Sequence, residues 1–152
     1  MKQANANEKS IEGMLDQQET LLVVDDEAAI RRVLCQKLSR EGYQCEEADA
    51  AEQALNMLET SPIALVILDI KMPGKSGIEL LPEIKSGYPD MAVIMATAVT
   101  DIGIAIQCLK LGADDYICKP FNLDEVSLGV QRALWLHGQR DDDAEAQRTP
   151  DG

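Results

Sequence analysis

The 152-residue sequence has a single histidine, His137, and no two cysteines spaced as a metal clamp. Its four cysteines, Cys35, Cys45, Cys108 and Cys118, are scattered along the chain. A zinc site needs about four clustered ligands, so zinc is excluded. Each cysteine lies in an apolar run and reads as a small buried hydrophobe. Bases are scarce as well, 14 Lys and Arg against 27 Asp and Glu, for a net charge of −13. Residues 20–138 carry −8 of that and the two ends carry −5. Such a surface repels a polyphosphate backbone, which argues against direct nucleic-acid binding by this chain. No apolar run approaches the roughly 18 residues of a membrane span. Residues 1–20 are polar and lack the apolar stretch of a secretory signal. The expected location is the cytoplasm, with no membrane partner. What remains is 45% hydrophobic and 27% charged, which excludes a wholly disordered chain and fits one domain.

Residues 1–19 read as a flexible leader, and residues 138–152, with three successive aspartates and then Pro150, as an acidic tail or truncated linker. Between them, short apolar runs alternate with helical patterns. The spacing predicts strands over 20–24, 43–47, 64–68, 92–96 and 115–118. Helices are predicted over 27–40, 51–58, 78–85, 101–111 and 122–137. Ile30, Val33, Leu34 and Leu38 share helical spacing in the first helix, and Asn122 is placed to cap the last. Pro82 should bend or shorten the third helix. Five strand–helix pairs in strict alternation imply an α/β fold, a doubly wound five-stranded parallel sheet with helices on both faces. Ligands of such sheets sit beyond the carboxyl ends of the strands, where strand order reverses.

Asp25, Asp26 and Glu27 follow the first strand, Asp69 the third, Thr97 the fourth and Lys119 the fifth. Carboxylates crowded on one rim repel each other unless a cation lies among them. Oxygen ligands at a partly hydrated rim suit Mg2+. A lysine facing the same cluster balances charge and can grip a phosphoryl oxygen. The hydroxyl of Thr97, with the small Ala98 beside it, leaves room for a tetrahedral group. These are the parts of phosphoryl transfer to a carboxylate.

At these residues the chain resembles the receiver (phosphoacceptor) domain of bacterial two-component response regulators. The matching segments are LLVVDDE at 21–27, LVILDIKMPGKSGIEL at 65–80, MATA at 95–98 and GADDYICKPF at 112–121, all in order over residues 20–137. The resemblance implies a (βα)5 flavodoxin-like receiver fold. It implies that Asp69 becomes a 4-aspartylphosphate, taking its phosphoryl group from the phosphohistidine of a sensor histidine kinase or phosphotransfer protein. Asp25, Asp26, Asp69 and the backbone carbonyl of Lys71 would hold Mg2+ or Mn2+. Lys119 would contact the phosphoryl group, with a cis bond to Pro120. Thr97 and Tyr116 match the family's switch pair. The domain would catalyse its own phosphorylation and dephosphorylation and act as no other enzyme. Its output surface would be helix 4, strand 5 and helix 5, for a homodimer or an output domain. There Ile102, Ile104, Ile106 and Leu109 wrap the fourth helix more widely than one buried stripe requires, and Leu128 and Trp135 form a stripe on the fifth.

Taken singly, each of these residues has a plainer reading. An aspartate after a strand is usually a turn residue, a tyrosine in a strand usually packs, and Glu27 can serve the helix N-terminus. Joint placement favours the site. A dehalogenase-like hydrolase would want a second acid where Lys71 stands, and a flavin-binding fold would want a Ser/Thr-rich loop where Asp25 and Asp26 stand. A receiver-like interaction module without turnover is the remaining alternative, as is a regulatory domain cut from a longer regulator.

Overall fold

The computed structural model describes residues 19–148, with side chains as far as Gly138. The leader expected over residues 1–19 lies outside the described residues, except Glu19. Five strands, β1 (Thr20–Val24), β2 (Gln44–Ala48), β3 (Ile63–Leu68), β4 (Ala92–Thr97) and β5 (Asp115–Cys118), alternate with five helices. The helices are α1 (Ala28–Arg40), α2 (Ala51–Thr60), α3 (Gly77–Gly87), α4 (Ile102–Lys110) and α5 (Leu123–Arg148). The strands form one parallel sheet in the order β2-β1-β3-β4-β5. The doubly wound α/β fold is therefore as expected, and its strand order reverses between β1 and β3.

Alternation along the strands feeds two cores. Leu22, Val24, Val66 and Leu68 face one side, under α2, α3 and α4 residues such as Ala54, Leu80 and Cys108. Leu21, Val23, Leu65 and Ile67 face the other, against Leu34 and Leu38 of α1 and Val126 and Val130 of α5. Burying one such leucine contributes about 1.5–3 kcal/mol. Among the four residues aligned on α1, Leu34 and Leu38 are buried, whereas Val33 turns outward, 41% exposed. The cysteine expectation needs correcting too. Cys108 is buried, but Cys35 and Cys45 are only partly so and Cys118 is exposed, at the end of an edge strand that has a neighbour on one side.

The ends of several elements follow local chemistry. Ser76 caps α3, its hydroxyl accepting from the Glu79 N–H. Pro82 sits inside α3 without ending it; the helix runs 11 residues to Gly87. Asn122 caps α5 as expected, its Oδ1 accepting from the Asp124 N–H at 2.7 Å. That helix continues through the segment read as a tail, reaching Arg148. No proline interrupts it before Pro150, and its two glycines, Gly129 and Gly138, cost only about 1 kcal/mol each in a helix.

Candidate functional site

Parallel register brings the strand ends into step. Val24 pairs with Leu68, so Asp25 and Asp69 emerge side by side at the reversal of strand order. The Asp69 N–H donates to the Val24 carbonyl at 3.0 Å and the Asp25 N–H to that of Ala48 at 3.1 Å. On the far side Thr97 pairs with Cys118, and the Lys119 N–H donates to the Thr97 carbonyl at 2.8 Å, which aims the lysine back across the rim. The Lys119–Pro120 bond is cis, as the resemblance implied.

Carboxylate oxygens of Asp25, Asp26, Glu27 and Asp69 all lie within 4.8 Å of one another. Asp25 and Asp69 are buried, while Asp26 and Glu27 are exposed. Lys119 Nζ donates to Asp25 Oδ2 at 2.7 Å, to Asp69 Oδ2 at 3.2 Å and to Glu27 Oε1 at 3.4 Å. Glu27 thus faces the cluster, and its side chain makes no cap for α1. The other oxygen of each buried acid is held by main chain: Asp25 Oδ1 accepts from the Glu27 N–H at 2.9 Å, and Asp69 Oδ1 from the Ile70 N–H at 2.7 Å. Burial pushes the Asp25 carboxyl above its ordinary pKa, against the downward pull of Lys119 and the Glu27 N–H. Burial alone would lower Lys119, but the hydrogen bond and charge of Asp25, joined by Asp69, hold its ammonium above the usual value.

One ammonium cannot neutralise four carboxylates, so the cluster retains a net negative field suited to a hard dication. The donors are all oxygen, which fits Mg2+ and disfavours zinc. An open hollow of about 480 Å3 beside them is lined by Asp26, Lys71, Met72, Pro73 and Ser76. Of the four acids, Asp26 lines it.

Thr97 and Tyr116 meet at a different point. Thr97 is fully buried, and its hydroxyl accepts from the Val99 N–H at 3.3 Å. The Tyr116 hydroxyl donates to the Val99 carbonyl at 2.5 Å. The two residues are therefore joined through the main chain of Val99, while among the described residues neither bonds to the acids. Three contributors escaped the sequence reading. Arg31, one turn into α1, donates from Nη1 to the Asp25 carbonyl at 2.7 Å and from Nε to Glu47 at 3.1 Å. Gly77 packs so tightly that a Cβ there would lie 2.0 Å from the Asp69 carbonyl oxygen. The third is the Val99 backbone. A base one turn after an acidic strand end was the signal for Arg31; nothing local marked the other two.

Residues 21–131 match the response regulator receiver domain, and the chain belongs to that family, whose members are signalling modules rather than classical enzymes. It is similar to the regulatory protein AtoC of Escherichia coli (strain K12), 38% identical over 120 residues, which are 79% of this chain and 26% of that protein. It is similar also to the phosphate regulon transcriptional regulatory protein PhoB of Pseudomonas aeruginosa, 39% identical over 127 residues, or 82% of this chain and 56% of PhoB. The chain thus spans about a quarter of the length of AtoC and just over half that of PhoB. Among solved structures, a CheY-like receiver domain protein from Methanospirillum hungatei JF-1 superposes with a TM-score of 0.78 at 32% identity. That match covers 82% of this chain and 99% of the other. A BeF3-activated DrrB receiver domain matches with a TM-score of 0.72 at 30% identity, covering 78% and 98%.

Proposed function

We propose that Asp69 accepts a phosphoryl group from the phosphohistidine of a sensor histidine kinase or phosphotransfer protein, in a step this domain itself catalyses. The observation that carries the reading is the convergence of four acids within 4.8 Å under one lysine. Asp69 Oδ2, released as Lys119 moves off it, is the attacking oxygen, while Oδ1 stays on the Ile70 N–H. It forms the new O–P bond as the P–N bond to the donor imidazole breaks, and the imidazole nitrogen keeps the electron pair. Asp25, Asp26, Asp69 and the Lys71 carbonyl would hold Mg2+ (or Mn2+), which when bound neutralises charge on the transferring oxygens. Lys119 shifts from the carboxylates to a phosphoryl oxygen. Thr97 turns its hydroxyl to another, and Tyr116 follows through Val99. The rest of the acceleration comes from positioning. Hydrolysis of the acyl phosphate by water resets Asp69.

In this reading the receiver unit is residues 20–137, it works in the cytoplasm, and it needs neither nucleic acid nor membrane. Its output is a shift of population at α4, β5 and α5, toward a homodimer or a docked output domain. Incubation with acetyl phosphate and Mg2+ is expected to label the chain once, and Asp69→Asn to abolish the label. Stoichiometric labelling of Asp69→Asn at another residue overturns the assignment. A Mg2+ titration that registers no binding overturns the metal site and favours the module without turnover.

A further inference from the structure

Asp25 is pinned at the end of β1 by its N–H on the Ala48 carbonyl, its Oδ1 on the Glu27 N–H and its Oδ2 on Lys119. Its main-chain carbonyl is met from α1 by Arg31 Nη1 at 2.7 Å. Arg31 is itself fixed. Its N–H donates to the Glu27 carbonyl at 3.2 Å, and its Nε donates to Glu47 Oε1 at 3.1 Å, on the strand that pairs with β1. The side chain is only 17% exposed, so the guanidinium is a largely desolvated, rigid fork with one arm on β2 and one on the turn after β1. Asp26 is held quite differently. Its side chain is exposed and takes no hydrogen bond or ion pair among the described residues. Yet its carboxylate lies within 4.8 Å of those of Asp25, Glu27 and Asp69.

We propose that Arg31 is a positioning residue for the dication site: by holding the Asp25 carbonyl, it fixes the direction in which Asp26 presents its carboxylate. The inference rests on the Mg2+ reading above. The carbonyl belongs to the peptide unit that joins Asp25 to Asp26. That unit is planar, so anchoring its oxygen fixes the plane from which Asp26 departs. No side-chain partner supplies this constraint at Asp26 among the described residues. Mg2+ accepts little deviation from octahedral geometry, whereas Ca2+ tolerates irregular ligand sets. Loosening one ligand therefore costs Mg2+ more than Ca2+. Charge alone predicts the opposite sign: a guanidinium near the acids repels any dication, so neutralising it should tighten the binding of both ions.

The test is calorimetric titration of the full chain with MgCl2 and, separately, with CaCl2, for the wild type, Arg31→Gln and Arg31→Lys. Denaturant melts confirm that each variant is folded. Arg31→Gln removes both charge and fork; Arg31→Lys keeps the charge without the fork. The Mg2+ dissociation constant is expected to rise about 10-fold or more in Arg31→Gln, the scale on which outer partners of metal ligands act, and several-fold in Arg31→Lys. Ca2+ binding should weaken less in both. Unchanged or tighter Mg2+ binding by either folded variant overturns the proposal. Equal weakening for the two ions overturns it too, since that marks general damage to the site. If only Arg31→Lys folds, its Mg2+ constant and its ratio to Ca2+ decide alone. A wild type that binds no Mg2+ overturns the metal reading, and this inference falls with it; wild-type binding with unaltered variants overturns this inference alone.

Discussion

Tyr116 sits half-buried between β5 and the turn after β4, and burial, followed by the nearby Cys108, pushes its phenol up to about 12. The unfolded chain releases that proton near pH 10. The folded state therefore holds the proton longer. This contribution to stability is complete below pH 10 and is lost as pH rises toward 12. Urea unfolding across that window should show a fall in stability that Tyr116→Phe flattens, at a cost near neutrality of about 0.5–1.5 kcal/mol for the lost hydrogen bond to Val99. The side chain of Val99 acts elsewhere. It is apolar and stands two residues beyond Thr97, where it can shield an acyl phosphate from water. Slow self-hydrolysis is expected, and Val99→Asn should shorten the lifetime of labelled Asp69 several-fold in a phosphate-release assay. A wild-type half-life of seconds would contradict this.

Between strand end and helix, Gly77 is the tightest joint in the site. Its N–H donates to the Ile70 carbonyl at 2.8 Å, and an added Cβ would overlap the Asp69 carbonyl. Gly77→Ala should destabilise the fold by at least the ~1–3 kcal/mol typical of overpacking, and should slow acetyl phosphate labelling by displacing Asp69. Denaturant melts and labelling rates check the two effects separately. Sequence alone could place Asp69 at the end of β3, because an unbroken apolar run ending in an acid carries that signal. It could not show the pressure of Gly77 on it, since close approach leaves no periodic pattern. Boundaries were legible to within one residue for β2, expected at 43–47 and found at Gln44–Ala48. Tyr43 belongs to the turn because its N–H is spent on the Leu38 carbonyl. The long α5 was hidden by its composition. Its last turns are polar all round, so apolar spacing stops where the backbone does not. The acids and Lys119 were readable as strand-end residues, whereas the link from Thr97 to Tyr116 runs through backbone atoms that no side-chain pattern reports.

Among the described residues, the most exposed large apolar side chains lie on α4 and α5. Ile102 is 77% exposed on α4, and Leu128 and Trp135 are 56% and 63% exposed on α5. Ile106 and Leu109 extend the α4 patch. No helix among the described residues is long and apolar enough to cross a membrane. A patch of this kind on a chain of net charge −13 suits a protein partner whose docking buries these side chains. With beryllofluoride and Mg2+ the chain is expected to sediment as a dimer at high concentration, and Trp135→Ala should weaken that association. An unchanged sedimentation profile would remove the dimer from the proposal and leave an output domain as the partner. Because the bridge from Thr97 to Tyr116 uses only the amide and carbonyl of residue 99, any residue except proline could stand there without cutting it. In the proposed reading the side chain is then free to set how long a message persists, while the backbone on either side of its Cα carries the message onward. Timing and transmission can thus diverge independently among descendants of this fold.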